Sequence, residues 1–259
     1  VISIVIPSIG SAGEARGAQR VFVVEAVRSV LATTQTPIEV LVVAGREMPA
    51  SVASDLQALD PAGRVRCLAY DAPFNFSATV NLGAAHAAGE YVLLLNDDTE
   101  VIAPDWLERM LDAAQGPRVG AVGARLLFDD GTLQHAGHTY RTSLDHVGFG
   151  LLGDAPGRGG LLTQRRSVAG ATAACLLVPM HVYDAVGGFC TLFPGNYNDV
   201  DFCMKVRAAG FDVVYEPAAV LYHFESKSRV AGIRPEEIEL IQRRWMHGLA
   251  DDPYSPLVV

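Results

Sequence analysis

Tyr91-Val92-Leu93-Leu94-Leu95-Asn96-Asp97-Asp98 is a short apolar run that stops on an amide and two carboxylates. A continuous apolar run of this length, with no polar alternation, predicts a strand buried on both faces. Such strands belong to sheets covered by helices, and in open α/β sheets ligands bind beyond the carboxyl ends of the strands. Asn96, Asp97 and Asp98 occupy that end. Two adjacent carboxylates repel each other where water is scarce. A hard divalent cation such as magnesium or manganese removes the conflict and also binds the oxygens of a diphosphate. The same residues equally make a polar turn in which Asp98 or Thr99 caps the next segment of chain. Taken alone, the two readings carry equal weight.

Towards the N-terminus the pattern repeats. Val1 to Pro7 is β-branched and bounded by Pro and Gly, and predicts a first buried strand rather than a leader peptide. A Gly-rich loop is expected from Ser8 to Gly17, then a helix from about Ala18 to Ala32 carrying Val21, Val24, Val27, Val30 and Leu31 at helical spacing. Strands are expected at Ile38 to Val43 and Arg64 to Tyr70, separated by a helix from Pro49 to Leu59. Ser77 is read as the N-cap of a helix that Gly89 stops, and another helix runs from about Pro104 to Ala114. Strand and helix alternate four times, which predicts an α/β fold with a Rossmann-like, mainly parallel sheet flanked by helices.

The second half is less regular. A strand is expected at Val119 to Phe128, a turn at Asp129-Asp130-Gly131, and a long Gly-rich loop from His138 to Gly160. Further strands are expected at Ala173 to Val178, Val213 to Tyr215 and Val220 to Tyr222. Helices are expected at Val182 to Val186, Asp199 to Ala209 and Pro235 to Leu249. A second acidic cluster, Asn198-Asp199-Val200-Asp201, opens one of these helices. By itself it is best explained as carboxylates complementing a helix N-terminus. Two such clusters, each at an element end, strengthen a functional reading, because expelling a diphosphate requires a metal site and, separately, a base. His223 comes just after a strand, and His135 and His138 flank Gly137. A lone histidine is more often a packed or surface residue than a ligand.

The chain has 259 residues, half of them hydrophobic and 19% charged, enough for a sizeable core. Its formal net charge of −9 argues against nonspecific nucleic-acid binding, and no nucleic-acid partner is expected. Cys67, Cys175, Cys190 and Cys203 form no CxxC pair and read as free thiols of a reducing compartment. No apolar run reaches the ~18–20 residues needed to span a bilayer. Gly10, Gly13 and Gly17 match neither GxGxxG nor GxxxxGK[ST], which excludes the dinucleotide and P-loop readings, and GxSxG is absent.

Five stretches, in this order, carry a resemblance: VISIVIP; FNFSATVNLGAAHAAGEYVLLLNDDTEVIAPDWLERML; DGTLQHAG; VGGF; and NYNDVDFCMKVRAAGFDVVYEPAAVLYHFESKSR. Together they resemble the family 2 glycosyltransferases of the GT-A fold, in particular the bacterial rhamnosyltransferase-like members that build cell-surface polysaccharides. The resemblance runs from Val1 to about Pro256. It implies a single GT-A domain over 1–259, with a nucleotide-sugar half (about 1–115), a smaller mixed acceptor half (about 116–230) and a C-terminal helix and tail (231–259). It implies an inverting transfer from a nucleoside-diphosphate sugar, UDP or dTDP favoured, to a hydroxyl of a glycan or lipid-linked glycan, with Mn2+ or Mg2+. Asn96-Asp97-Asp98 matches the DxD-type motif, with Asp98 on the metal and Asp97 on the donor. His223 matches a third metal ligand and Asp199 the general base. Pro7, Ser8, Asn96 and Asn81 fall on the donor side; Asp201, Asn198 and His135 support the acceptor side. A cytoplasmic enzyme at the inner face of the membrane is implied, with Arg243-Arg244-Trp245-Met246 the candidate for peripheral contact, although a solvated helix face explains that tail more simply.

Three departures from the family pattern stand out. The second strand runs into Ala44-Gly45 where an acid usually reads the base, the loop Ile9 to Gln19 is longer than usual, and Ala173 replaces a common glycine. Two competing readings are a sugar nucleotidyltransferase, disfavoured by a first loop with Arg16 but no Lys, and a non-catalytic carbohydrate-binding domain derived from a glycosyltransferase.

Overall fold

The computed structural model describes residues 1–140, 144–224 and 232–254. In chain order its elements are β1 (Ile2–Ser8), β2 (Ala12–Ala15), β3 (Ala18–Val21), α1 (Phe22–Thr33), β4 (Ile38–Gly45), α2 (Ala50–Leu59), β5 (Val65–Tyr70), α3 (Phe76–Ala85), β6 (Tyr91–Leu95), β7 (Thr99–Val101) and α4 (Trp106–Ala114). The second half adds β8 (Val119–Leu127), β9 (Leu133–His135), β10 (His138–Thr139), β11 (Asp145–His146), β12 (Arg166–Val168), β13 (Cys175–Pro179), α5 (Met180–Ala185), α6 (Asn198–Ala208), β14 (Asp212–His223) and α7 (Pro235–Ala250).

The main sheet runs β12-β14-β8-β13-β6-β1-β4-β5, with β7 paired to β14 and β9 to β8. Strands β6, β1, β4 and β5 are mutually parallel. Antiparallel β13 lies between β6 and β8, and β14 returns parallel to β8. After β1 the chain first builds outward through β4 and β5, then crosses back to place β6 on the other side of β1. That reversal opens a crevice at the carboxyl ends of β1 and β6, where open α/β sheets take ligands.

Period-two alternation divides β1 between two cores. Ile2, Ile4 and Ile6 pack with Val23 and Val27 of α1, Leu56 of α2, and Trp106 and Met110 of α4. Val5 faces the other way, into a cluster with Val80 of α3, Val182 of α5 and Phe202 of α6. Both sheet faces are therefore covered, which is why β1, β4 and β6 are mostly apolar, with Ser3 of β1 donating to Glu39 of β4. Each fully buried side chain of this size contributes about 1.5–3 kcal/mol. Helix α3 lies so close to the sheet that a Cβ at Gly83 would stand 2.3 Å from Val5 Cγ1.

Several local expectations are corrected. The first loop contains a β2-β3 hairpin, so α1 starts at Phe22, four residues later than the helical spacing predicts. Asn75, not Ser77, caps α3: its side chain accepts from Ala78 N, while the Ser77 hydroxyl is buried and donates to Phe193 O. The two short strands near the end are one strand, β14, with its register shifted between Glu216 and Val220, across Pro217. A proline cannot donate to the ladder, so the break was visible but the continuity was not. The stretch 138–160 carries the β10-β11 ribbon and a short 3-10 turn at Arg158–Gly160, where only a loop is expected from the sequence. No helix among the described residues is long and apolar enough to cross a membrane.

Candidate active site

Strand register assembles the site. At the end of β1, the Ser8 hydroxyl donates to Asp97 Oδ2 at 2.7 Å, across the β1-β6 crevice. Asn96 N donates to Ala174 O at 3.0 Å, which holds the segment leading into β13 against the end of β6. Strand β7 leaves the Asp97-Asp98 turn and pairs antiparallel with the end of β14, so that His223 stands opposite Thr99. Phe224 N then donates to Asp98 O at 2.9 Å. A histidine from the last strand is thereby held beside a carboxylate at the end of β6.

The resulting geometry is specific. His223 Nε2 lies 3.2 Å from Asp98 Oδ1 and 3.1 Å from Asn96 Nδ2. Its Nδ1 lies 2.7 Å from Gln134 Oε1. An amide oxygen only accepts, so Nδ1 carries a proton, and Nε2 is the ring nitrogen turned towards Asp98. This is the arrangement that orients a histidine for a metal. Asp97 is buried among the same groups. Burial first, and the neighbouring charge of Asp98 second, raise its carboxyl to about 7.

These groups open on a cavity of about 330 Å3 lined by Pro7, Asn96, Asp97, Asp98, Gln134, Asp199 and His223, among others. No Lys or Arg lines it among the described residues. An anionic ligand entering it meets three carboxylates, Asp97, Asp98 and Asp199, and no Lys or Arg to offset them, so a diphosphate calls for a cation there. Asp98 and His223 offer one oxygen and one nitrogen on the same side, separated as two neighbouring ligands of one ion are, and the donor set fits a divalent metal.

Asp199 enters from α6. Tyr197, just before the helix, sits at φ 56° in the left-handed region, a strained conformation of the kind found at functional sites. One Asp199 oxygen accepts from Val200 N at 2.8 Å, the helix-end role expected on simpler grounds. The other accepts from Ala173 N at 3.4 Å and lies 3.9 Å from His138 Nε2, and the residue lines the cavity. The loop before it is held by Glu237 of α7, which accepts from the amides of Gly195 and Asn196.

A matching sequence profile decides the family: that of glycosyl transferase family 2 covers residues 3–169. The chain belongs to glycosyl transferase family 2. It is 36% identical over 239 residues to the O-antigen biosynthesis protein RfbC of Myxococcus xanthus, an alignment taking in 89% of this chain and 19% of that one. It is 27% identical over 149 residues to N-acetylglucosaminyl-diphospho-decaprenol L-rhamnosyltransferase of Mycobacterium tuberculosis, taking in 54% of this chain and 48% of that one. The chain thus spans about a fifth of the first relative and about half of the second. Its fold matches that of a mannosyltransferase from Pyrobaculum calidifontis in complex with GDP-Man and Mn2+, with a TM-score of 0.62 and 16% identity over 99% of this chain and 67% of that one. The fold is GT-A.

The residues singled out in this family 2 sequence divide into three groups. Pro7, Asn96, Asp97, Asp98, Asn198, Asp199 and His223 line one cavity. Ser8 and His135 stand just behind it, Ser8 on Asp97 and His135 with Nε2 3.3 Å from Thr172 N. Asn81 and Asp201 lie elsewhere. The Asn81 amide clamps the loop after α5, accepting from Phe189 N and Tyr183 and donating to Phe189 O, so it is committed to the fold and is not among the residues lining that cavity. Asp201 is fully buried and accepts from Trp245 Nε1 at 2.7 Å, with Arg244 Nε at 3.2 Å. That pairing turns Arg244 and Trp245 of the tail towards α6 and leaves Arg243 and Met246 exposed. Sequence reasoning missed Gln134, whose only signal was its place beside His135, and gave no role to His146.

Proposed function

We propose that this family 2 chain is an inverting glycosyltransferase, moving a sugar from a nucleoside-diphosphate sugar to a hydroxyl of a glycan or lipid-linked glycan. The observation that carries the reading is the pairing of Asp98 with His223, whose ring is oriented towards the carboxylate by Gln134. Asp98 and His223 would hold a Mn2+ or Mg2+ ion. When bound, that ion neutralises charge growing on the departing nucleoside diphosphate.

The protein's own groups do the rest. Asp97, held by Ser8, faces the donor. Pro7 and Asn96 bound the donor side of the cavity. Asp199 takes the proton from the acceptor hydroxyl, which must enter from the face opposite the leaving group for a single displacement. Its place in the lining of the same cavity as Asp98 and His223 supports that role. Holding both substrates in line supplies much of the remaining acceleration. The chain is read as one GT-A unit with a donor half and an acceptor half, working at the cytoplasmic face of the membrane. The names of its relatives, O-antigen biosynthesis and rhamnosyl transfer to a diphospho-decaprenol, support a bacterial cell-surface polysaccharide as the product.

Thermal shift and donor hydrolysis with Mn2+ and a panel of UDP-, dTDP- and GDP-sugars test this reading. A response to at least one donor, first of all a UDP- or dTDP-sugar, is expected only with metal present. Silence towards every donor, with and without metal, would overturn it.

A further inference from the structure

Beside the donor cavity, and apart from Asp98 and His223, three imidazoles converge. His135 ends β9, while His138 and His146 face each other as register partners across the β10-β11 ribbon. Gly137, at φ 95°, makes the turn that brings His138 back towards His135. The ring centroids form a nearly equilateral triangle, with sides of 5.0, 4.7 and 5.0 Å. One ring nitrogen from each lies within 4.8 Å of the other two. His135 and His138 are buried and His146 is half-buried.

We infer that His135, His138 and His146 form a second metal site, selective for a borderline transition metal such as Zn2+ over Mg2+ or Mn2+. Three imidazoles match the ligand set of three-coordinate protein sites that leave a fourth position open, whereas hard cations prefer carboxylate and water oxygens. Tetrahedral Zn–N bonds of about 2.0–2.1 Å place their nitrogens about 3.3 Å apart. His135 Nδ1 and His146 Nδ1 stand 3.3 Å apart in a hydrogen bond whose proton a metal would replace, His135 then giving up the contact its Nε2 accepts from Thr172 N. His138 Nδ1 is engaged by the Tyr140 hydroxyl at 3.1 Å, which leaves Nε2 as its ligand atom and fixes the ring from behind. An entry path exists, because His138 and His146 line the cavity.

Asp199 Oδ2 lies 3.9 Å from His138 Nε2, the ligand atom assigned to that ring. Metal bound here competes with an acceptor for that carboxylate, so zinc suppresses transfer. This consequence rests on the proposed glycosyl transfer; the binding itself does not.

Cobalt(II) is the probe, since tetrahedral imidazole coordination gives intense visible d–d bands that an oxygen-rich octahedral site lacks. Titrating the full chain with Co2+ alone is expected to give these bands at one equivalent, and Zn2+ is expected to abolish them. His146→Ala, a change at a half-buried position, is expected to weaken Co2+ at least tenfold, and His138→Gln likewise, while Asp98→Asn keeps the bands. Absence of visible bands in the wild type overturns the site, as does binding undiminished in both histidine variants. Loss of the bands in Asp98→Asn also overturns it, since the metal would then belong to the other centre. If the bands form as expected and no nucleotide sugar is turned over, the functional reading falls and the metal site stands.

Discussion

His223 Nε2 and Asp98 Oδ1 come within 3.2 Å of each other although one residue closes β14 and the other lies just beyond β6. The contact exists because β7, only three residues long, pairs with the last residues of β14 before the chain leaves the sheet. Metal affinity is expected to depend on both residues and on the group that orients the histidine. Asp98→Asn and His223→Gln should each lower Mn2+-dependent transfer by about 100-fold or more. Gln134→Ala should weaken Mn2+ by about 10-fold, measured by calorimetry. Unchanged affinity in Gln134→Ala would mean that the tautomer is not set by this amide.

Asp199 is expected to act on the acceptor and not on donor binding. Asp199→Asn should lower kcat by about 1000-fold, while the thermal shift produced by a working donor with Mn2+ stays as in the wild type. Intact transfer by this variant would remove Asp199 as the base.

Asp97 and Asp98 set two carboxylates side by side in a buried place. Replacing one with its neutral isostere relieves that repulsion in the metal-free protein. Asp97→Asn should therefore raise the melting temperature of the EDTA-treated protein at pH 8 by about 2–4 °C per kcal/mol relieved, and should abolish the donor-induced shift. A lower melting temperature would show that the Ser8 hydrogen bond outweighs the repulsion.

Glu237 ties α7 to the loop that carries Asp199. Burial alone would raise its carboxyl, but the backbone and side-chain amides of Asn196 and the amide of Gly195 outweigh burial and hold it below its ordinary 4.5. A lowered native value means that the unfolded chain binds the proton more readily. The stabilisation is then complete above 4.5 and is lost as pH falls through the native value. Glu237→Gln should cost about 1–3 kcal/mol at pH 7. Denaturant midpoints of the two proteins should converge as the solution is acidified below that ordinary value. A gap independent of pH would show that packing, and not charge, sets the effect.

Much of this protein was legible from its sequence. The buried strands β1, β4 and β6 are written in local apolar runs, because a strand covered on both faces is predominantly apolar. The carboxylates at the end of β6 were legible for the same reason: a polar triplet ending such a run has to lie at the sheet's edge. Asp199 was visible as a helix-opening acid, although its two oxygens, one on Val200 N and the other on Ala173 N, were not separable.

Tertiary structure alone decided the remainder. Asn81 looked like a donor-side residue until the loop after α5 folded onto its amide, and the cap of α3 proved to be Asn75 because Ser77 had a partner in Phe193. Gln134 and His223 become partners only through the registers of β9 on β8 and of β14 on β8 and β7. The three histidines gather only because a two-residue ribbon sets His138 opposite His146. The sequence by itself determined which segments must be buried and where their polar ends fall, since period and apolarity act over a few neighbouring residues. Which polar ends meet is a matter of strand order and register between segments far apart in the chain, and no local pattern encodes a pairing whose energy exists only once the sheet is closed.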